Sequence, residues 1–157
     1  MSNILTVFDL DHTLAIPDVK KDLEHNFLTI DHLTPIPEMM QLLDQSPEKM
    51  ILTNRHPMLK TILEEKYQCP VICRNFCLSQ SEMEKVNTSY CNLQKFLKQM
   101  IIWKTTELNA LAKQYNKIIF YDDYARNFQR QHLHKNIDIR LPLHMQNTQL
   151  SDFLIDT

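Results

Sequence analysis

Two aspartates, Asp9 and Asp11, stand two positions apart at the end of the apolar, β-branched run Ile4-Leu5-Thr6-Val7-Phe8. In an extended chain, side chains at i and i+2 share a face, so both carboxylates can reach one small volume. Like charges that close repel unless a cation lies between them or one keeps a proton. Two readings are open. In one, Asp9 and Asp11 are turn residues that stop a strand, and Thr13 is a turn or helix cap. In the other, Asp9 is a nucleophile, Asp11 its acid–base partner, and the pair forms a magnesium site.

Other apolar runs end in residues of matching chemistry. Lys117–Tyr121, KIIFY, is followed by Asp122 and Asp123, repeating the pattern of a strand that ends in acids. Lys49–Thr53, KMILT, ends in a hydroxyl and runs into Asn54, Arg55 and His56 before Pro57 opens a helix. A hydroxyl at a strand end, followed by a helix N-terminus, suits an anion, although Thr53 could equally be a plain strand end. Arg55 could pair with a substrate anion or lie on the surface. Lys104 is expected to open a helix carrying Leu108, Leu111, Ala112 and Tyr115. The helix dipole disfavours a cation at that end, so Lys104 is either employed there or simply solvated.

The elements that position these residues follow from periodicity. Strands are expected at Ile4–Phe8, Lys49–Thr53, Val71–Cys73 (with a possible extension through 76–78), Lys117–Tyr121 and 137–141. Between them, helices are expected from Pro37 with Met39, Met40, Leu42 and Leu43, from Pro57 to Tyr67, over 92–100, from 103 onward, and over 124–131. Residues 15–37 read as a loop with one short helix, 79–91 as a surface loop, and Leu150, Phe153 and Leu154 as an amphipathic tail. Alternating strands and helices imply an α/β class, a Rossmann-like three-layer α/β/α fold with a mostly parallel sheet of about five strands in one domain over 1–157. In such sheets a ligand lies beyond the carboxyl ends of the strands, where Asp9, Asp11, Thr53, Asp122 and Asp123 all fall.

Composition narrows the function classes. The 157 residues carry a net charge of −2 with scattered Lys and Arg, which argues against a dedicated nucleic-acid binder. No apolar run reaches the roughly 18 residues of a membrane span, and the start MSNILTVFDLD lacks a basic leader, so a cytoplasmic protein is expected, export by a signal-less route aside. Cys69, Cys73, Cys77 and Cys91 lack zinc-knuckle spacing and read as free thiols, while His132, His134 and His144 read as surface histidines. The chain has no glycine, against an average near 7%. A glycine-rich phosphate loop is therefore excluded, and tight turns fall to Asn, Asp, Ser, Pro or a tolerant His.

In this order, FDLDHTL resembles the first motif, DxDxT, of haloacid dehalogenase-like phosphatases. Thr53 in ILTNR is similar to the second motif, Lys104 to the third, and Asp122-Asp123 in IIFYDD to the acidic fourth, across essentially the whole chain. LTNR, WK and YDD together also resemble such domains attached to RNA-repair proteins and small phosphatases of bacterial effectors. There are two departures: His12 replaces the commonest glycine, and LTNRH lacks the glycine that some relatives carry before the arginine. The resemblance implies Asp9 as nucleophile and metal ligand, and Asp11 as general acid/base lending its backbone carbonyl to Mg2+. It implies Thr53 and Lys104 as phosphate-holding groups, with Asn54 and Arg55 beside them, and Asp122 (favoured) or Asp123 completing the metal shell.

The intervals 14–50 and 54–103 leave no room for a large cap domain, so an open site is expected. Such a site suits a phosphorylated macromolecule, a phosphoprotein or phosphotyrosine protein ahead of a nucleic-acid 3′-phosphate or a nucleotide. A non-catalytic binding module of the same fold is the alternative outside enzymes, and retention of all four motif positions argues against it.

Overall fold

The computed structural model describes residues 3–74 and 90–146, the latter from 93 onward with side chains. Its main sheet contains β1 (Ile4–Phe8), β4 (Lys49–Thr53), β5 (Val71–Cys73), β6 (Lys117–Tyr121) and β7 (Ile137–Arg140). All five strands run parallel in the order β5-β4-β1-β6-β7. The chain builds outward from β1 to β4 and β5, then returns to the other side for β6 and β7. The strand order thus reverses at β1, and in sheets of this kind ligands bind beyond the carboxyl ends of the strands at such a point.

Alternation along the strands explains the two packed faces. On one face, Phe8, Ile51 and Tyr121 pack with Met39 and Leu43 of α2 (Pro37–Gln45) and Leu63 and Tyr67 of α3 (Lys60–Tyr67). On the other, Leu5, Val7, Leu52, Ile118 and Phe120 pack against Trp103, Leu108 and Leu111 of α4 (Tyr90–Ala112). The fold is the expected three-layer α/β arrangement, and each buried Leu or Phe contributes about 1.5–3 kcal/mol to it. Pro37 opens α2 at its first turn, and Pro57 opens a single 3-10 turn, Pro57–Leu59, that leads into α3.

The sequence expectation fails in several places. In place of two helices, one over 92–100 and another from 103, a single 23-residue helix, α4, runs through both. No Pro, Gly or capping residue interrupts Met100-Ile101-Ile102-Trp103, so nothing ends the first helix. Lys104 therefore lies inside α4 and does not open it. Residues 124–131 form no α-helix; two short 3-10 turns, Ala125–Asn127 and Arg130–His132, replace it, because the segment is too short and too polar to sustain a helical stripe. Residues 15–37 contain the one short helix expected, α1 (Val19–Glu24), and beyond it an unexpected ribbon in which β2 (Ala15–Ile16) and β3 (Thr34–Pro35) pair antiparallel. The last strand stops at Arg140, and α5 (Leu143–Gln146) follows. The possible 76–78 extension, the loop over 79–89 and the tail at Leu150, Phe153 and Leu154 lie outside the described residues, while Tyr90 and Cys91 already belong to α4.

Without glycine, left-handed backbone among the described residues falls to His12, Asn26, Phe27 and Gln68, at φ of 63°, 55°, 60° and 55°. Asn26 and His12 are the residue types expected there; Phe27 and Gln68 are not. Gln68 ends α3, the place where a glycine is usual. No helix among the described residues is long and apolar enough to cross a membrane.

Candidate active site

β1 and β6 pair in register from Ile4↔Lys117 to Phe8↔Tyr121, so Asp9 and Asp122 leave adjacent strands at the same level. Counting in twos, Asp9 follows Leu5 and Val7, and Asp122 follows Ile118 and Phe120, onto the face covered by α4. On that helix Met100, Lys104, Leu108 and Ala112 recur every four residues, one stripe facing the sheet. A lysine inside an apolar stripe needs a charge partner, and here it has two. Lys104 Nζ donates to Asp9 Oδ1 at 2.9 Å and to Asp122 Oδ2 at 2.8 Å. Lys104 is 1% exposed, Asp9 6% and Asp122 0%.

Further bonds fix the carboxylates. Thr13 Oγ1 donates to Asp9 Oδ2 at 3.3 Å, and Asp122 Oδ1 accepts the Tyr124 backbone N–H at 2.7 Å. Carboxylate oxygens of Asp9, Asp122 and Asp123 all lie within 4.8 Å of one another. One lysine cannot balance three acids. Burial first, then the Asp122 charge, pushes the Asp9 carboxyl well above the usual carboxylate range, against the pull of Lys104. Asp123, again chiefly through burial, is pushed up to about 6. For Lys104 burial works against the charge, but Asp122 and Asp9 outweigh it and hold the ammonium protonated above its ordinary range. Among the described residues the cluster has three carboxylates and one bonded ammonium, so negative charge is in excess.

Asp11 is held differently. Arg55 Nε donates to Asp11 Oδ2 at 3.1 Å and Arg55 Nη2 to Asp11 Oδ1 at 2.6 Å. The Asp11 side chain, 29% exposed, is not one of the three carboxylates close enough to share an ion. Its loop turns back sharply: the backbone N–H groups of Thr13, Leu14 and Ala15 all donate to the Leu10 carbonyl, and left-handed His12 makes the reversal possible. Thr53 is fully buried at the end of β4, its Oγ1 accepting the Arg55 backbone N–H at 3.1 Å. Asn54 follows it, with a buried Oδ1 that has no protein partner. Arg55 is neither exposed nor open to an anion along its main bonding edges: it is 6% exposed and shared between Asp11 and Asp22.

The structure therefore gathers Asp9, Lys104, Asp122 and Asp123 into one cluster and sets Asp11 with Arg55 beside β1, with Thr53 and Asn54 at the neighbouring strand end. Sequence reasoning missed Thr13 as a partner of Asp9, and missed Asp22 entirely. Thr13 had a signal, its place in FDLDHTL; Asp22, in a polar segment, had none. Cys69 and Cys73 are free, and burial pushes both thiols up to about 11, away from reactivity. Cys77 lies outside the described residues.

Comparison with protein-family models, curated proteins and solved structures finds no match to this chain.

Proposed function

We propose that this chain is a magnesium-dependent phosphatase of the haloacid dehalogenase-like kind, hydrolysing phosphomonoesters through an aspartyl phosphate. The observation that carries this reading is a buried lysine bonded to carboxylates from two adjacent parallel strands, with a third carboxylate alongside, at the switch point of the sheet. The donor set fits Mg2+: three hard carboxylate oxygens close together, carrying charge that their one lysine leaves unbalanced. Asp9, Asp122 and Asp123 would hold the ion, which when bound supplies positive charge to the transferring phosphoryl group.

The chain's own residues supply the rest. Asp9 attacks phosphorus through a carboxylate oxygen; the new O–P bond forms as the ester P–O bond breaks, and Asp11 gives its proton to the leaving oxygen. Water then attacks the same phosphorus, Asp11 takes back a proton, and the Asp9–phosphorus bond breaks to release inorganic phosphate. Lys104 and the Thr53 hydroxyl offset charge on the phosphoryl oxygens, as preorganised donors in a dry site do. That residues 15–37 form only a small ribbon and one short helix supports a phosphorylated macromolecule as substrate, with a phosphoprotein as the preferred class.

Hydrolysis of an aryl phosphate with Mg2+, wild type against Asp9→Asn, tests the reading. The variant is expected to fall to the buffer rate, and equal rates would remove Asp9 as nucleophile. Side-by-side assays of a phosphotyrosine peptide, a 3′-phosphorylated oligonucleotide and a nucleoside monophosphate assign the substrate. Turnover of the oligonucleotide alone would replace the phosphoprotein by a nucleic-acid end.

A further inference from the structure

Helix α1 is attached to the body in an unusual way. Its one buried residue is an aspartate, Asp22, 2% exposed, while Val19 and Leu23 remain 61% and 51% exposed. A helix that needed only to be anchored would bury those apolar side chains and keep the charge in water. Instead the Asp22 carboxylate accepts from Arg55 Nη1 at 2.7 Å and Nη2 at 2.9 Å, while His32 Nε2 lies 2.9 Å from the same Oδ1 that Nη1 meets.

Arg55 thus has one planar fork toward Asp22 and another toward Asp11. Paired forks fix both distance and plane, which a single ammonium–carboxylate contact does not. Each Asp11 oxygen accepts one bond from Arg55, which leaves lone pairs on both for a proton or a water. The guanidinium can keep that plane only while its far edge is held.

We propose that Asp22 is a positioning residue for the reaction: through Arg55 it fixes the plane of the Asp11 carboxylate, so that the 15–37 segment is part of the catalytic apparatus. The inference rests on the phosphatase reading, since it assigns Asp11 a proton to deliver. Among the described residues the Asp22 carboxylate meets Arg55 and His32 and not Asp9, Asp122 or Asp123, so its effect on Asp11 passes through Arg55.

The test uses the leaving group. A proton delivered by Asp11 matters greatly for an alkyl alcohol and little for a nitrophenolate, so Asp11→Asn loses more kcat/KM on an alkyl phosphate than on 4-nitrophenyl phosphate. Asp22→Asn, nearly isosteric, is expected to reproduce that pattern. Its additional loss on the alkyl ester is expected to be about 10- to 100-fold, the size seen when outer partners of active-site groups are removed. The loss is expected in kcat, with little change in KM. Added to Asp11→Asn, the substitution is expected to change the ratio of the two esters no further. Equal losses on both esters, or losses that add to those of Asp11→Asn, would reduce Asp22 to a structural anchor and overturn the proposal while the phosphatase reading stands. A wild-type chain inactive on both esters overturns the two together. Should Asp22→Asn give no cooperative melt, Arg55→Lys, which cannot present two planar forks, is read by the same ratio and the same criteria.

Discussion

Replacing Lys104 by Met keeps a linear side chain of similar length and removes the charge together with its two hydrogen bonds. In the native site Nζ lies 2.9 Å from Asp9 and 2.8 Å from Asp122, all three groups being nearly inaccessible. At the effective dielectric that describes such sites, each contact is worth about 6 kcal/mol before desolvation. Burying three ions offsets much of that, and removal of one partner from a buried pair usually costs about 3–5 kcal/mol, because the remaining charge is stranded. Here the stranded charge is larger, since Asp123 lies with Asp9 and Asp122 and neither Thr13 nor the Tyr124 N–H carries a full positive charge. For a domain of this size each kcal/mol shifts Tm by about 2–4 °C, so Lys104→Met is expected to melt roughly 6–20 °C below wild type in chelator. Calorimetry at neutral pH with and without Mg2+ measures it, and Mg2+ is expected to recover more of the loss in the variant than it adds to wild type. A fall of under about 2 °C, the size of an ordinary surface substitution, would refute the claim that Lys104 holds the acids together.

Other outcomes follow from the same geometry. Asp9 and Asp123 titrate higher in the folded chain than in the unfolded one, so the folded state binds the extra protons. For Asp123 the stability this contributes is fully present below the unfolded value near 3.8 and is lost as pH rises through about 6, and Asp9 acts in the same direction. Metal-free Tm is therefore expected to fall as pH climbs through that window, less steeply in Asp123→Asn, and a rise of Tm across it in chelator would contradict the assignment. Gln68→Gly relieves a left-handed residue at the end of α3. The gain of about 1–2 kcal/mol, less Gly's backbone entropy of about 0.5–1 kcal/mol, leaves the variant slightly more stable by denaturant melt.

The strand pattern was legible because β-branched runs end abruptly in polar residues: Ile4–Phe8 before Asp9, and Lys117–Tyr121 before Asp122. Register and α/β alternation then bring those acids together without any long-range information. Lys104 was located by its type but misplaced in its helix. The four-residue recurrence of Met100, Lys104, Leu108 and Ala112 was in the sequence, and it marks a buried stripe and not a helix start. The Asp22–Arg55–Asp11 connection could not be read, because it joins residues 33 and 44 positions apart across a segment with no periodicity. Contacts of that kind are set by tertiary packing of the 15–37 segment, and nothing in local propensity encodes them.

The proposed chemistry requires the three carboxylates just beyond β1 and β6 to take up one divalent cation. Crystals of the wild-type chain grown with Mn2+ in place of Mg2+ test this directly by anomalous diffraction. One peak is expected, coordinated by Asp9 and Asp122 with Asp123 adjacent, and lost in Asp122→Asn. A wild-type map with no peak there, or with its peak elsewhere on the molecule, would contradict the metal site and the phosphoryl-transfer chemistry built on it.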